Sequence, residues 1–349
     1  MKKLNVGLIG CGGVATNFHL KAWGKNPGID LVACCDSRRE AAQKAAASFD
    51  IPRVYTEYRR MLRSEKLDAV VICTPPFCHM EQSVAALSAG VHVLCEKPMA
   101  LNAAQAERMC AAARKARRIL AIAFNNRYYR MNQKLKELIS AGGIGKVYYA
   151  RVQALRRRGI PGWGAFTQKA LSGGGAMFDI GVHMLDLALW LMGEPEPVTV
   201  SGAAYCKFGH RRDVFAGWGQ WDTKKFDVED MGIGMAKFRN GASMVIEASW
   251  AAHIDEDVWK VTLVGEEGGV QTSPVKVMQE KHRMMVDLNP RDFHEISFTQ
   301  TFGEEFQAFI SAIRTRGRSP VPGEDGLRTA KILDGILKSS KTGREIRLG

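Results

Sequence analysis

The chain is short of three things that would each have pointed to a function. Only eight of its 349 residues are cysteine, and no two of them stand as CxxC. That speaks against a disulfide framework and a zinc ribbon, and reads Cys34, Cys35, Cys73 and Cys95 as small core residues kept reduced in a cytosol. Long apolar runs are also missing: none approaches the ~20 residues of a membrane span. The opening MKKLNVGLIG has two lysines before an apolar run, but that run is too short for a secretory signal and breaks into GCGG. Acid is in deficit as well, with 36 Asp and Glu against 49 Lys and Arg and a net charge of +13. The bases are scattered, the densest run being Arg156, Arg157 and Arg158, and neither zinc-finger spacing nor a basic zipper accompanies them. A positive potential then suits an anionic substrate or cofactor rather than nucleic acid. The expectation is a cytoplasmic protein with no membrane and no nucleic-acid partner.

What is present is enough apolar residue, 46%, for two full cores. Internal repeats and low-complexity linkers are not evident. From residue 3 to about 124 the chain alternates short apolar runs with helical stretches: LNVGLIG, DLVACCD, DAVVICT, VHVLCE and ILAIAF. Strands apolar on both faces and separated by helices are what a parallel sheet covered on both sides requires. After Asn125 the period changes. Tyr148, Ala150, Val152 and Ala154 alternate with polar residues, and Asn240-Gly241 joins two strand-like runs as a hairpin turn would. The predicted fold class is α/β, a doubly wound parallel sheet over 1–124 followed over 125–349 by an α/β domain with a large, open, mostly antiparallel sheet. Helices are predicted at 180–192, 303–315 and 325–340.

The first strand runs into Gly10-Cys-Gly12-Gly13-Val14-Ala15, a GxGxxA sequence opening a predicted helix. Its glycines permit a tight turn and a close approach of pyrophosphate to backbone, and the phosphates meet a helix N-terminus. Asp36, 21 positions beyond Ala15, ends the second strand and is placed to bind ribose hydroxyls and repel a 2′-phosphate. This favours NAD over NADP, although Arg38 and Arg39, just beyond Ser37, weaken the preference because an arginine can accommodate the extra phosphate. Two further strands end in Thr74-Pro75-Pro76 and Glu96-Lys97-Pro98, where open parallel sheets bind ligands. His79 opens the helix after the first of these.

These motifs, with NNRYY at 125–129, ELISAGGIGKV at 137–147 and GGGAMFDIGVHMLDLALWLMG at 173–193, make the chain similar over nearly its whole length to the glucose-fructose oxidoreductase, inositol dehydrogenase and rhizopine-catabolism family. The resemblance implies a Rossmann domain, oxidation of a secondary hydroxyl of a sugar, cyclitol or related polyol, and a homodimer or homotetramer. It puts the catalytic lysine at Lys97, the DxxxH pair at Asp179 and His183, a cis peptide at Pro98, and Arg127 near substrate and nicotinamide. It implies cofactor contacts at Gly10, Gly12, Gly13, Val14, Ala15, Asp36, Ser37, Arg38, Thr74, Pro75, His79, Glu96, Lys97 and Arg127.

On a helix, Asp179, His183 and Asp186 would share one side. That spacing admits a metal, but two carboxylates and one imidazole from one face are an incomplete site, and no metal is expected. His183 suits the role of proton acceptor near neutral pH, with Lys97 stabilising alkoxide charge, although a desolvated lysine could itself be the base. Substrate selectivity is expected in RRRGIPGWGAFTQKALSGGG. There Arg158 would suit an anionic group on the substrate and Trp163 offers a flat apolar face to a sugar ring. Two rival readings remain: a redox-neutral enzyme that cleaves glycosides through a ketone while retaining NAD, and a non-catalytic regulator that senses the dinucleotide.

Overall fold

A computed structural model describes residues 2–290 and 294–349. The chain divides into two compact units, one running to Tyr128 and including Ile296–Leu327, the other comprising Tyr129–Glu295 and Arg328–Gly349.

In the first unit six parallel strands stand in the order β3-β2-β1-β4-β5-β6. They are β1 (Leu4–Ile9), β2 (Ile29–Cys35), β3 (Arg53–Tyr55), β4 (Ala69–Ile72), β5 (His92–Cys95) and β6 (Leu120–Ile122). The reversal of strand order between β1 and β4 opens a crevice at their carboxyl ends, where GxGxxA, Thr74 and Lys97 all fall. Val6, Leu8, Val70, Val71 and Leu94 are essentially inaccessible, as two-sided burial demands.

The first compact unit also takes in residues beyond 124. Asn125–Tyr128 and the helix Phe298–Thr315 belong to the first unit. The helix buries Phe302, Phe306, Phe309 and Ile310, and the last three join a core containing Leu20, Trp23 and Ile29. Trp23 stacks on Phe306 at 4.1 Å. An apolar stripe shows that a helix is buried but not against which core, so the sequence assigned it to its neighbours along the chain. Ser297 and Gln300 form a capping box that starts it.

The second unit is built on a nine-stranded sheet, ordered β14-β13-β12-β11-β7-β10-β9-β8-β15. Its strands are β7 (Val147–Leu155), β8 (Pro197–Tyr205), β9 (Met231–Phe238), β10 (Ser243–Ser249), β11 (Val258–Gly265), β12 (Gly268–Thr272), β13 (Val275–Lys281), β14 (Met284–Leu288) and β15 (Ile346–Arg347). Every pairing is antiparallel except β7 with β10. The β9–β10 turn carries Gly241 at φ +87°, and Asn240 Oδ1 accepts from the Ala242 N–H at 3.1 Å. Alternate residues Ala150, Val152 and Ala154 of β7 face the core.

Against expectation, one helical stretch, Lys169–Leu191, is long and apolar enough by length and composition to cross a membrane. Its most apolar window is 83% buried inside the protein. A helix apolar all round is the signature of a core helix, and this one carries the DxxxH motif.

Candidate active site

Gly10 sits at φ +92°, and a Cβ there would lie 2.7 Å from the backbone of Cys73 and Thr74, so only glycine lets β1 turn against the end of β4. At Gly12 a Cβ would meet nothing within 4 Å. The exposed backbone of Gly13 and Val14 begins the helical segment, whose turn Ala15–His19 is π-helical, and Ala15 is buried against the core. Open space, a helix N-terminus and a following carboxylate fit a dinucleotide pyrophosphate and ribose.

Asp36 also shapes that loop. Its Oδ2 accepts from the Cys11 N–H at 2.9 Å and its Oδ1 from the Arg38 N–H at 2.9 Å. Each oxygen keeps a second lone pair for a ribose hydroxyl. The Arg38 guanidinium is mostly exposed, 3.7 Å from the carboxylate. Asp36→Ser is therefore expected to shift the NAD-to-NADP ratio of kcat/KM by more than about tenfold toward NADP, because a like-charge clash costs several kcal/mol. An unchanged ratio in steady-state assays with both cofactors would remove Asp36 from this role.

The end of β5 is held by a buried chain of hydrogen bonds. The Trp23 indole N–H donates to His19 Nδ1 at 3.1 Å, so that nitrogen must accept, and the Nε2–H is left to donate to Glu96 Oε1 at 2.8 Å. Glu96 Oε2 accepts from the Lys97 N–H at 3.0 Å. Burial pushes the Glu96 carboxyl up, but the bond from His19 and the positive charge of Lys97 outweigh it and hold it below the usual carboxylate range. The Lys97–Pro98 peptide is cis, as the resemblance implied.

His79, expected near the cofactor, is fully buried. Its Nδ1 lies 2.9 Å from Pro98 O and its Nε2 2.7 Å from Thr74 O. Burial lowers its pKa against the pull of the two carbonyls, and the ring fills the space between the ends of β4 and β5. Arg127, expected beside substrate and nicotinamide, is only 2% exposed, and its Nη1 pairs with Asp325 at 2.9 Å. That buried ion pair was not visible in the sequence, because its partner lies 198 residues away.

In the second unit Asp179 lies in a π-helical turn, Met177–Gly181, and His183 in the α-helix Val182–Leu191. From Ser172 to Leu191 only Asp179, His183 and Trp190 escape full burial. Asp186, expected on the same open side, is 1% exposed and belongs to the interior. The Asp179 carboxylate accepts from the Trp250 indole N–H at 2.9 Å and lies 3.9 Å from Arg156 Nη1. Glu229 seats the helix: its Oε1 accepts from the N–H groups of Gly175 and Met177 at 2.8 and 3.1 Å. Burial raises the Glu229 pKa against the pull of those donors.

Among the three arginines it is Arg156, not Arg158, that turns inward beside Asp179. It continues the core-facing parity of Ala150, Val152 and Ala154, a signal that could have found it. Burial lowers its pKa while Asp179 opposes that shift. Arg158 instead donates to Ala252 O at 2.9 Å and lies over the Phe208 ring. Trp163 is half exposed and stacks on Trp218. Among the described residues no cluster of His, Cys, Asp and Glu is arranged to hold a metal.

Two family models match the chain: an oxidoreductase family with an NAD-binding Rossmann fold over residues 4–124, and the GFO/IDH/MocA C-terminal domain over 132–271. The chain belongs to the Gfo/Idh/MocA family of oxidoreductases. It is 34% identical to D-glucoside 3-dehydrogenase of Escherichia coli, over 99% of this chain and 97% of that protein. It is 26% identical to myo-inositol 2-dehydrogenase of Thermotoga maritima, over 99% and 98%. Among solved structures it is similar to an oxidoreductase domain protein from Kribbella flavida, at 25% identity, TM-score 0.88 and full coverage of both chains. Levoglucosan dehydrogenase in complex with NADH and L-sorbose gives 25% identity, TM-score 0.86 and full coverage of both.

Proposed function

We propose that this protein is an NAD-dependent dehydrogenase that oxidises a secondary ring hydroxyl of a sugar or glycoside. The observation that carries the reading is the burial pattern of the DxxxH helix, where a carboxylate and an imidazole one turn apart are only partly buried on a rod whose other residues, Trp190 apart, are buried. A carboxylate can grip a sugar hydroxyl, and an imidazole can take a proton near neutral pH.

The roles follow from the chemistry. The nicotinamide, when bound, supplies the hydride acceptor. As the carbinol is oxidised to a ketone, His183 would take the hydroxyl proton and become an imidazolium. Lys97 holds positive charge against the oxygen while it carries alkoxide character. Asp179, kept in place by Trp250 and Arg156, orients a neighbouring hydroxyl. Relatives that act on a glucoside and on an inositol support a ring polyol as substrate, and Asp36 supports NAD as the preferred cofactor. Eight free cysteines suit a reducing cytosol. Exposed Tyr148, Tyr205 and Met235 on strands of the large sheet suit self-association into a dimer or tetramer.

The test is to incubate purified protein with NAD and a panel of free sugars, alkyl glycosides and cyclitols. Stoichiometric NADH with a ketone product is the expected result. Glycoside cleavage without net NADH would instead support the redox-neutral route. Silence across the panel, with NAD still bound, would support a sensor.

A further inference from the structure

Arg156, Trp163, Trp218 and Trp259 form a built aromatic surface within the second unit. The Arg156 guanidinium lies 4.0 Å over the Trp218 ring and 5.5 Å over that of Trp259. Its Nη1 donates to Gly159 O at 3.1 Å and reaches the Asp179 carboxylate at 3.9 Å. Trp218 and Trp163 are near-parallel, 12° apart with ring centroids 6.0 Å from each other. The two loops that carry them meet backbone to backbone. The Gly162 N–H donates to Trp218 O at 3.1 Å, and a Cβ at Gly162 would lie 2.4 Å from Gly219. At the base of the second loop, Asp230 Oδ2 accepts from the N–H groups of Lys207, Phe208 and Gly209. Even so, 55% of Trp163 and 41% of Trp218 remain exposed.

Two large indoles held side by side and left open point to a ligand, and their position selects it. A single guanidinium touches both the Trp218 face and the Asp179 carboxylate, so the aromatic plate lies two contacts away from the group that orients the reacting sugar. That is where the next ring of a glycoside would fall. The C–H face of a pyranose, or an aryl ring, is apolar and flat, and an indole face matches it.

We propose that Trp163 and Trp218 are a stacking subsite for the ring attached to the sugar being oxidised. Preferred substrates are then glycosides and oligosaccharides carrying a second ring, in preference to free monosaccharides. The proposal rests on the dehydrogenase reading above and deepens it.

The experiment compares matched methyl and phenyl glycosides and a disaccharide by kcat/KM, and by calorimetric binding in the presence of NAD. The wild-type protein is expected to favour the two-ring ligands by roughly three- to tenfold. Trp163→Ala and Trp218→Ala are expected to bring that ratio toward one, with Trp163→Phe between. A ratio near one in the wild type, or one unmoved by the variants, overturns the subsite. Oxidation of the methyl glycoside without ring preference defeats the subsite and leaves the dehydrogenase reading intact. Binding of the phenyl glycoside that depends on both tryptophans, without turnover, does the reverse. Loss of self-association in the tryptophan variants without a change in ring preference assigns the plate to a protein interface and overturns the proposal.

Discussion

Lys97→Ala is expected to lower turnover by roughly 10²- to 10³-fold, the usual loss when a preorganised charge at a developing oxyanion is removed. Affinity for NAD, measured by calorimetry or fluorescence, should change little. The reason is a separation of roles at the end of β5: the dinucleotide loop is shaped by Gly10, Gly12 and Asp36, whereas Lys97 follows β5 with its backbone N–H held by Glu96. Lys97→Arg is expected to recover little, since a planar fork does not replace a compact ammonium. Near-normal turnover in Lys97→Ala would remove the lysine from the reaction.

A second large effect is expected at Arg127. Replacing it with alanine leaves the Asp325 carboxylate, 2% exposed, buried without this counter-charge. Breaking such a pair from one side costs about 3–5 kcal/mol. Replacing both partners with apolar residues of similar volume, Arg127→Met with Asp325→Leu, should cost much less, because neither charge is then stranded. Denaturant unfolding of the single and double variants gives the comparison. A single-variant cost below about 1 kcal/mol would show the site to be well solvated, and would return Arg127 to consideration as a ligand-contacting residue.

What was legible in the sequence was what depends on neighbours along the chain. Apolar runs ended by glycine, aspartate or proline fixed β1, β2, β4 and β5, and the GxGxxA spacing with Asp36 located the nucleotide loop because all its parts lie within 27 residues. The helix bearing Asp179 and His183 was equally plain, although the π-turn at Met177–Gly181 and the burial of Asp186 were not. Features that depend on distant partners stayed hidden. His19 and Glu96 are 77 residues apart, Asp179 and Trp250 are 71, and nothing local marks either pair. The helix Phe298–Thr315 showed its stripe but not its allegiance. Strands β12 to β14 escaped notice because most of their residues are partly or fully exposed, which blurs the alternation that betrays a strand. Trp218 lies in a glycine-rich segment with no regular period, and its part emerges only through the guanidinium of Arg156.

The central claim is the proposal that Lys97 and His183 both serve the hydride-transfer step, and a double-mutant cycle on single-turnover hydride transfer tests it most directly. Residues that work as a unit are strongly non-additive. The double Ala variant is thus expected to be about as slow as the slower single variant, with NAD still bound. If instead the two losses multiply, the lysine and the histidine serve separate events, and the proposed division of roles is wrong.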